Sequence, residues 1–495
     1  MTGAPGVFAR YPGTVRDEAV DPDGAVRPAY RAVAQVLETL GGAGIAAVAD
    51  AVARERRLRG VVVGDHVDGR LQERPLPLCP VPRVLTAGDW AHLAAGAEQR
   101  TRALNAFLAD VYRPAGRRRS DPDRHPEVVR AGVVSAAVIS ASPGHRPSAV
   151  GLAGPGQRRV TVAALGVLRG PGGWLAVSDD LSAPAGLGHA LSNRESSRTA
   201  LPRLHAAADA DGLVDPATAV PLLRAALADA APRECTGAPR LALLSGGPGE
   251  PTWFEQRLLA EALGVPVVTP GQLWPGLDGG VVAHVDGERL PVDVLYRHLD
   301  EAELAAHVTP AGAPLDVLVA EGVRAGRLSV VNVPGNGVAD DPALYRCVPE
   351  MIRFYLGEEP VLATVPTWVL ADDRDLAQVR DRLHELVLRP VDGYGGRGLV
   401  SGPLCSAAEL AELQAEVLAA PHRFVAAEPV DCSTVPTVVD GSLVPRRVDL
   451  RVFTVAGRTT RALPAPLTRV APAAGAQLVG SGPGSATKDT WLLGS

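Results

Sequence analysis

The sequence predicts a mixed α/β protein of several domains, and three observations carry that reading. Residues 386–403, LVLRPVDGYGGRGLVSGP, run strand, glycine-rich loop, strand. Residues 241–268 run buried strand, helix, strand, which is how a parallel sheet opens. Upstream of both, Ala29 to Ala53 and Trp90 to Val111 carry apolar residues at helical spacing.

The 495 residues leave room for two or three domains. A content of 46% hydrophobic and 21% charged residues suits packed cores, and with only 4% aromatics these must rest on Leu, Val and Ala. A net charge of −6 without a basic tail argues against nucleic acid as a partner. No unbroken apolar run reaches the ~18 residues of a membrane helix, so no membrane is expected. The N-terminus lacks the basic start and apolar core of a signal peptide. Five scattered cysteines without CxxC spacing read as reduced thiols, and a cytoplasmic location is expected. Lys+Arg is 49, yet Lys488 is the single lysine. A lysine kept where arginine is used everywhere else points to a need for a compact ammonium.

In chain order, residues 1–125 read as mostly helical, with LPLCPVP (76–82) as an extended passage. Thr86 to Asp89 resembles a capping box and opens a helix. Trp90, Leu93, Ala97, Leu104, Leu108 and Val111 form its buried stripe, while Gln99, Arg100 and Asn105 lie off it and read as solvated or helix-pairing. Arg117 to Arg130 reads as a charged linker. Residues 126–200 read as a strand segment: VVSAAVIS (133–140), RRVTVAALGVLRG (158–170) and Trp174 to Val177, which ends in Ser178-Asp179-Asp180. Asp179 and Asp180 at a strand end suit either a metal or a surface turn. Residues 201–345 form a separate α/β unit, in which strand Val292 to Tyr296 delivers Arg297 and His298 to its end. The glycines at 246, 247 and 249 miss the GxGxxG spacing, so a dinucleotide site has weak support. The loop 332–337 leads to Asp341 as helix cap with Pro342 in the first turn, and Leu344, Val348, Ile352 and Tyr355 mark that helix's buried face.

Residues 346–495 hold the glycine loop, Gly393-Tyr394-Gly395-Gly396-Arg397-Gly398. Glycines let backbone N–H groups crowd round an anion, and Arg389 and Arg397 add fixed positive charge. That suits a triphosphate, although a plain hairpin fits the loop alone equally well. The loop is neither a Walker nor a Rossmann loop, because both of those open a helix. A helix over 407–419 follows, then a strand 423–429 carrying Glu428. On the strand 447–455, Asp449 and Arg451 share one face, either as a structural pair or at work on a ligand. Arg469 lies in LTRV (467–470), and Lys488 and Asp489 lie in a second small-residue loop, 481–491.

These motifs together resemble the circularly permuted ATP-grasp proteins of type 2. The matching stretches are QRTRALNAFLADVY (99–112), PTWFEQRLLAEALGVPVV (251–268), DVLYRHLD (293–300), VNVPGNGVADDPALYRCVPEMIRFYLGEEPVLATVPTW (331–368), LRPVDGYGGRGLVSGP (388–403), CSTVPT (432–437), PRRVDLRVF (445–453), LTRV and TKDTW (487–491). The resemblance implies an ATP-grasp core with circularly permuted strand order, to which 126–200 contributes the permuted strand segment. It also implies a pre-ATP-grasp Rossmann-like α/β domain over 201–345, besides the N-terminal helices.

It implies ATP and Mg²⁺, and ligation of a small-molecule or peptide carboxylate to an amine through an acyl phosphate. Asp449, Arg451, Arg469 and Lys488 are implied as catalytic. Arg389, Arg297, Glu428 and the glycine loop are implied in nucleotide binding, and Asp179 and Asp180 as metal ligands. α-Helical E-type domain and transglutaminase-like proteins are implied as partners. The chain departs from the family pattern at Ser178 (usually Glu), Asp180 (Asn), Ser182 (Arg), His298 (Arg), Pro342 (Lys), Ala427 (Gln) and Ala465-Pro466 (a glycine pair). Two readings therefore compete: an ATP-dependent carboxylate–amine ligase, and a catalytically degenerate ATP-grasp-like binding or assembly protein.

Overall fold

The computed structural model describes residues 6–67, 70–114, 125–154, 157–210, 212–392, 398–480 and 482–494. At its centre is a nine-stranded sheet built on the long strand Ser442–Ala456. Across the sheet the order is Ala363–Thr364, Gly173–Asp180, Val162–Gly170, Ser442–Ala456, Leu467–Val470, Ala486–Leu492 and Leu78–Leu85. Thr434–Val439 and Thr460–Ala462 also pair with Ser442–Ala456. The acidic strand Gly173–Asp180 thus joins the C-terminal strands through Val162–Gly170, which pairs antiparallel with Ser442–Ala456.

Alternation along Ser442–Ala456 gives the sheet two faces. Leu450 and Val452 pack with Leu93 and Ala97 of helix Ala87–Val111, and Thr454 bonds Thr101 of that helix. Phe453 and Val455 take the other face and join Leu187, Leu191, Leu259 and Tyr296 in a second core. That core belongs partly to a smaller parallel sheet, ordered Ser329–Val331, Val294–Arg297, Leu241–Leu244, Val267–Val268. The strand-helix-strand of 241–268 is therefore present, with its helix at Trp253–Leu263 closed by Gly264 in the left-handed conformation. A third sheet is antiparallel: Thr367–Val369, Phe424–Ala427, Val387–Pro390, Val400–Ser401. Val387–Pro390 and Val400–Ser401 form the hairpin expected around the glycine loop. Gly393, Tyr394, Gly395, Gly396 and Arg397 lie outside the described residues.

Four expectations need correction. Residues 133–140 hold no strand: Ser135 caps the helix Ala136–Ala141 by accepting from the Ala137 N–H, and the alanines there favour helix. Within 481–491, residues 486–491 belong to the strand Ala486–Leu492, almost wholly buried between Leu467–Val470 and Leu78–Leu85. Gln99, Arg100 and Asn105 are buried, with partners on other elements. The helix begun by Asp341 and Pro342 stops at Tyr345, and a second one runs Val348–Leu356.

The helical stretch Pro28–Leu58 is long and apolar enough, by length and composition, to cross a bilayer. Here it turns at Gly41 and packs Val33, Leu37 and Ile45 into a core with Val81 and Trp491.

Candidate functional site

The strand Gly173–Asp180 carries an irregularity that decides where its acids point. Ala176 pairs with Val167 and Ser178 with Gly166, so Val177 is an extra residue, a β-bulge. Asp179 therefore faces helix Ala87–Val111, while Ser178 and Asp180 face the second core. A Cβ at Gly166 would displace the Ser178 hydroxyl from its present position.

On the helix side, Arg100 donates from Nε to Asp179 Oδ1 at 2.6 Å and from Nη2 to Oδ2 at 2.7 Å. Both residues are buried, and Arg100 Nη1 also reaches Thr364 Oγ1. On the second-core side, Arg451 Nη2 donates to Asp180 Oδ2. Next to it, Arg469 makes a close pair with Asp449, Nη2 to Oδ2 at 2.5 Å, in direct cross-strand register. The Asp449 carbonyl accepts from Arg83, itself fully buried against Glu18.

The exit of the acidic strand is pinned from three sides. Asp340 accepts from the N–H groups of Leu181 at 2.6 Å and Ser182 at 3.2 Å. Burial, then the charge of Asp180, holds the Asp340 carboxyl well above the usual carboxylate range. Asn332 donates to the carbonyls of Val162 and Leu181. Arg297, 1% exposed, spends its donors on Asn332 O, Leu299 O, Glu301 and Ser182 Oγ. Burial opposes the Glu301 charge, but Arg297 wins and holds its pKa below normal. Burial drives His298 down to about 4, so it is neutral at pH 7.

Arg389 enters from the antiparallel sheet. Its guanidinium lies 5.3 Å from the centroid of the Tyr345 ring, and Tyr345 donates to the Asp340 carbonyl. Arg389 Nε is buried with no hydrogen-bond partner among the described residues. That leaves a donor for an anion beside the glycine hairpin. Gly398 closes the described end of the loop with φ of 71°. Glu428 lies at the rim of the same sheet, partly exposed, 3.4 Å from Arg382.

The structure thus brings Asp179, Asp180, Asp449, Arg451 and Arg469 onto one sheet, with Arg297 and Arg389 at its acidic end. Lys488 shares the sheet but not the site. It is 1% exposed, and its ammonium donates to Cys79 Sγ at 3.0 Å, Val81 O at 2.8 Å and Pro436 O at 2.8 Å. Burial lowers its pKa, and no donor is left for a phosphate. Both oxygens of neighbouring Asp489 accept from the single Nε–H of buried Arg194.

Mg²⁺ keeps several waters and is held by one or two carboxylates, which must be free to turn toward it, together with substrate phosphates. Asp179 is sealed by Arg100 and Asp180 is taken by Arg451, and among the described residues no group of three or more potential ligands surrounds a metal position. As arranged, this donor set does not fit Mg²⁺.

Sequence reasoning missed Arg100, Asn332, Asp340 and Glu255 as members of this neighbourhood. Three of them stood inside the motif stretches as unexplained polar residues next to apolar ones, which was the available signal. Asp340 stands in the stretch 331–368 where the family resemblance places an Asp-Asp-Lys run, here Asp340-Asp341-Pro342.

Comparisons with known proteins bear on the same architecture. A family model described as circularly permuted ATP-grasp type 2 matches residues 82–471. A Frankia casuarinae protein named "Putative glutamate--cysteine ligase 2-2" is 42% identical over 494 residues, covering 99% of this chain and 55% of the relative. A Frankia alni protein, "Putative glutamate--cysteine ligase 2-3", shows the same 42% identity and 55% coverage. The chain spans about half the length of these two curated relatives. An uncharacterized Mycobacterium tuberculosis protein is 36% identical over 480 residues, 96% of this chain and 84% of its own length. Among solved structures, a glutathione synthetase-like effector from Globodera pallida in the apo form superposes with a TM-score of 0.53. That match covers 91% of this chain and 97% of the other at 12% identity, and it shows a common fold.

Proposed function

The chain belongs to the circularly permuted ATP-grasp type 2 family, and on that premise we propose that it is an ATP-dependent ligase joining a carboxylate to an amine. The observation that carries the reading is the Asp180–Arg451 pair, which joins a strand from the first half of the chain to the C-terminal charged strand on one sheet face. In the proposed reaction a substrate carboxylate oxygen attacks the γ-phosphorus of ATP. The bond from that phosphorus to the β–γ bridging oxygen breaks, and ADP leaves. The amine nitrogen then attacks the acyl carbon, the carbon–oxygen bond to phosphate breaks, and inorganic phosphate departs as the amine gives up its proton.

Arg451, Arg469 and Arg389 would supply positive charge along this path, where positioned cations do most of the work in phosphoryl transfer. Asp449 orients Arg469. Mg²⁺ belongs to the family chemistry, but no step here is assigned to it. The names of the Frankia relatives suggest an amino-acid carboxylate and an amino-acid amine. The α-helical E-type and transglutaminase-like partners belong to this proposal as well.

The test is ADP release with glutamate and cysteine as the first probe pair, and hydroxylamine as a trap for the acyl phosphate. Hydroxamate formed only with ATP and a carboxylate supports the ligase. The second reading, a degenerate binding protein, is favoured by one observation: Asp179, Asp180 and Asp449 are each already engaged by an arginine. ATP binding without turnover across amino acids and peptides would select it.

A further inference from the structure

Glu255 belongs to the stretch PTWFEQRLLAEAL, yet nothing above gives it a task. It lies on helix Trp253–Leu263 and is 1% exposed. Its Oε1 accepts from two backbone N–H groups, Gly186 at 2.6 Å and Gly188 at 3.0 Å. These are at the start of the helix Leu187–Ala200, where Gly186 is the N-cap with φ of 116° and supplies no side chain. The cap thus comes from a different element, 69 residues along the chain. Its other oxygen, Oε2, is buried without a hydrogen-bond partner among the described residues. A helix cap alone gives no reason to bury that second oxygen.

Both glycines are shaped to the contact. A Cβ on Gly188 would lie 2.8 Å from Glu255 Cγ. A Cβ on Gly186 would lie 3.0 Å from Leu467 Cδ2, 3.2 Å from Phe453 Cζ and 3.6 Å from Arg451 Cδ. Gly186 therefore lies close beside the Leu467 and Phe453 side chains, with the stem of Arg451 the next neighbour of that position. Arg451 and Asp180 are also the side chains whose charges act on Glu255, and Tyr296 feels both acids.

We propose that Glu255 is a positioning residue: it clamps the start of helix Leu187–Ala200 against strand Ser442–Ala456 and so fixes the Arg451 side chain where it meets Asp180. The functional weight of this clamp rests on the ATP-grasp reading of Arg451. The clamp itself does not, and the two can fail separately.

The experiment uses the full chain labelled with [¹⁵N]arginine, with the Arg451 Nε–H resonance assigned through R451K. In E255A, amide exchange over residues 184–190 is expected to rise and the Arg451 Nε–H signal to broaden or vanish, with the circular dichroism spectrum unchanged. ATP affinity by calorimetry should weaken about tenfold, the scale on which losing an outer-shell partner acts. E255Q keeps one carbonyl oxygen for the two amides, so it should restore most of the exchange protection and the sharp Arg451 signal. Faster exchange in E255A with an unmoved Arg451 signal would overturn the proposal and leave a mere cap. If E255A fails to fold, the shorter E255D takes its place, and faster exchange over residues 184–190 with an unmoved Arg451 signal overturns the proposal equally. Wild-type protein that binds no ATP would sink the ligase reading, while the two resonance tests still decide the clamp.

Discussion

Two aspartates adjacent in sequence, Asp179 and Asp180, each hold an arginine, yet on opposite faces of one sheet and to different ends. Arg100 and Asp179 have side chains only 3% and 4% exposed, closed over by a helix. Arg451 and Asp180 keep 15% and 13%. A sealed pair that loses one partner leaves an uncompensated buried charge. A pair with some solvent at hand relaxes more cheaply, and its arginine is able to turn to a ligand. On the proposed reading, the same chemistry then acts as structure on one face and as a site on the other.

The comparison breaks most directly at Arg100. R100A should cost about 3–5 kcal/mol of stability, read as a lower urea midpoint. A loss below ~1 kcal/mol would put this pair in the class of surface ion pairs and erase the distinction between the faces. On the second-core side, R451A should cut ATP-dependent turnover by ~10²–10³-fold, about 3–4 kcal/mol of barrier, with a smaller midpoint shift than R100A. An R451A protein that turns over normally but melts early would make both faces structural.

Acid should act through the histidines buried beside the second core. Burial holds His189 at about 3 and His298 at about 4, against ~6.5 when unfolded. A depressed histidine contributes stability fully above the unfolded value and loses it as pH falls. Between pH 7 and 5 each should cost about 2 kcal/mol. H189F should flatten the pH dependence of the urea midpoint, and an unchanged slope would show that His189 is already protonated in the fold. The smallest effect on activity is expected at Lys488. K488R must fit a larger fork among Cys79, Val81 and Pro436, for about 1–3 kcal/mol. ATP affinity should not move. A loss of affinity at normal stability would return Lys488 to the site, as its solitary status in the sequence suggested.

What was legible in the sequence follows local rules. Alternation placed Asp449 and Arg451 on one face, and both proved to pair across strands. The cap at Asp341 and the helix over 407–419 rest on neighbouring residues alone, and both formed where expected. What was hidden depended on distant partners. Arg100 falls off an apolar stripe, so it reads as solvated until a carboxylate arrives 79 residues later in the chain. Lys488 reads as a loop cation because its run is rich in small residues. Two flanking strands make it core: Leu467–Val470, the strand just before it, and Leu78–Leu85, whose Cys79 lies 409 residues away.

The bulge at Val177 carries one more consequence. A strand keeps count: odd and even positions take opposite sides. Counting from Trp174 and Ala176, which lie against the helix, Asp180 should lie there too, with Asp179 opposite. The surplus residue slips the phase by one, and the outcome is reversed. Which acid meets the helix and which meets Arg451 is thus a matter of parity, decided by the number of residues before the pair rather than by the pair itself. Two sequences aligned column by column at these aspartates would be matched in letters and opposed in space if only one of them carried the slip.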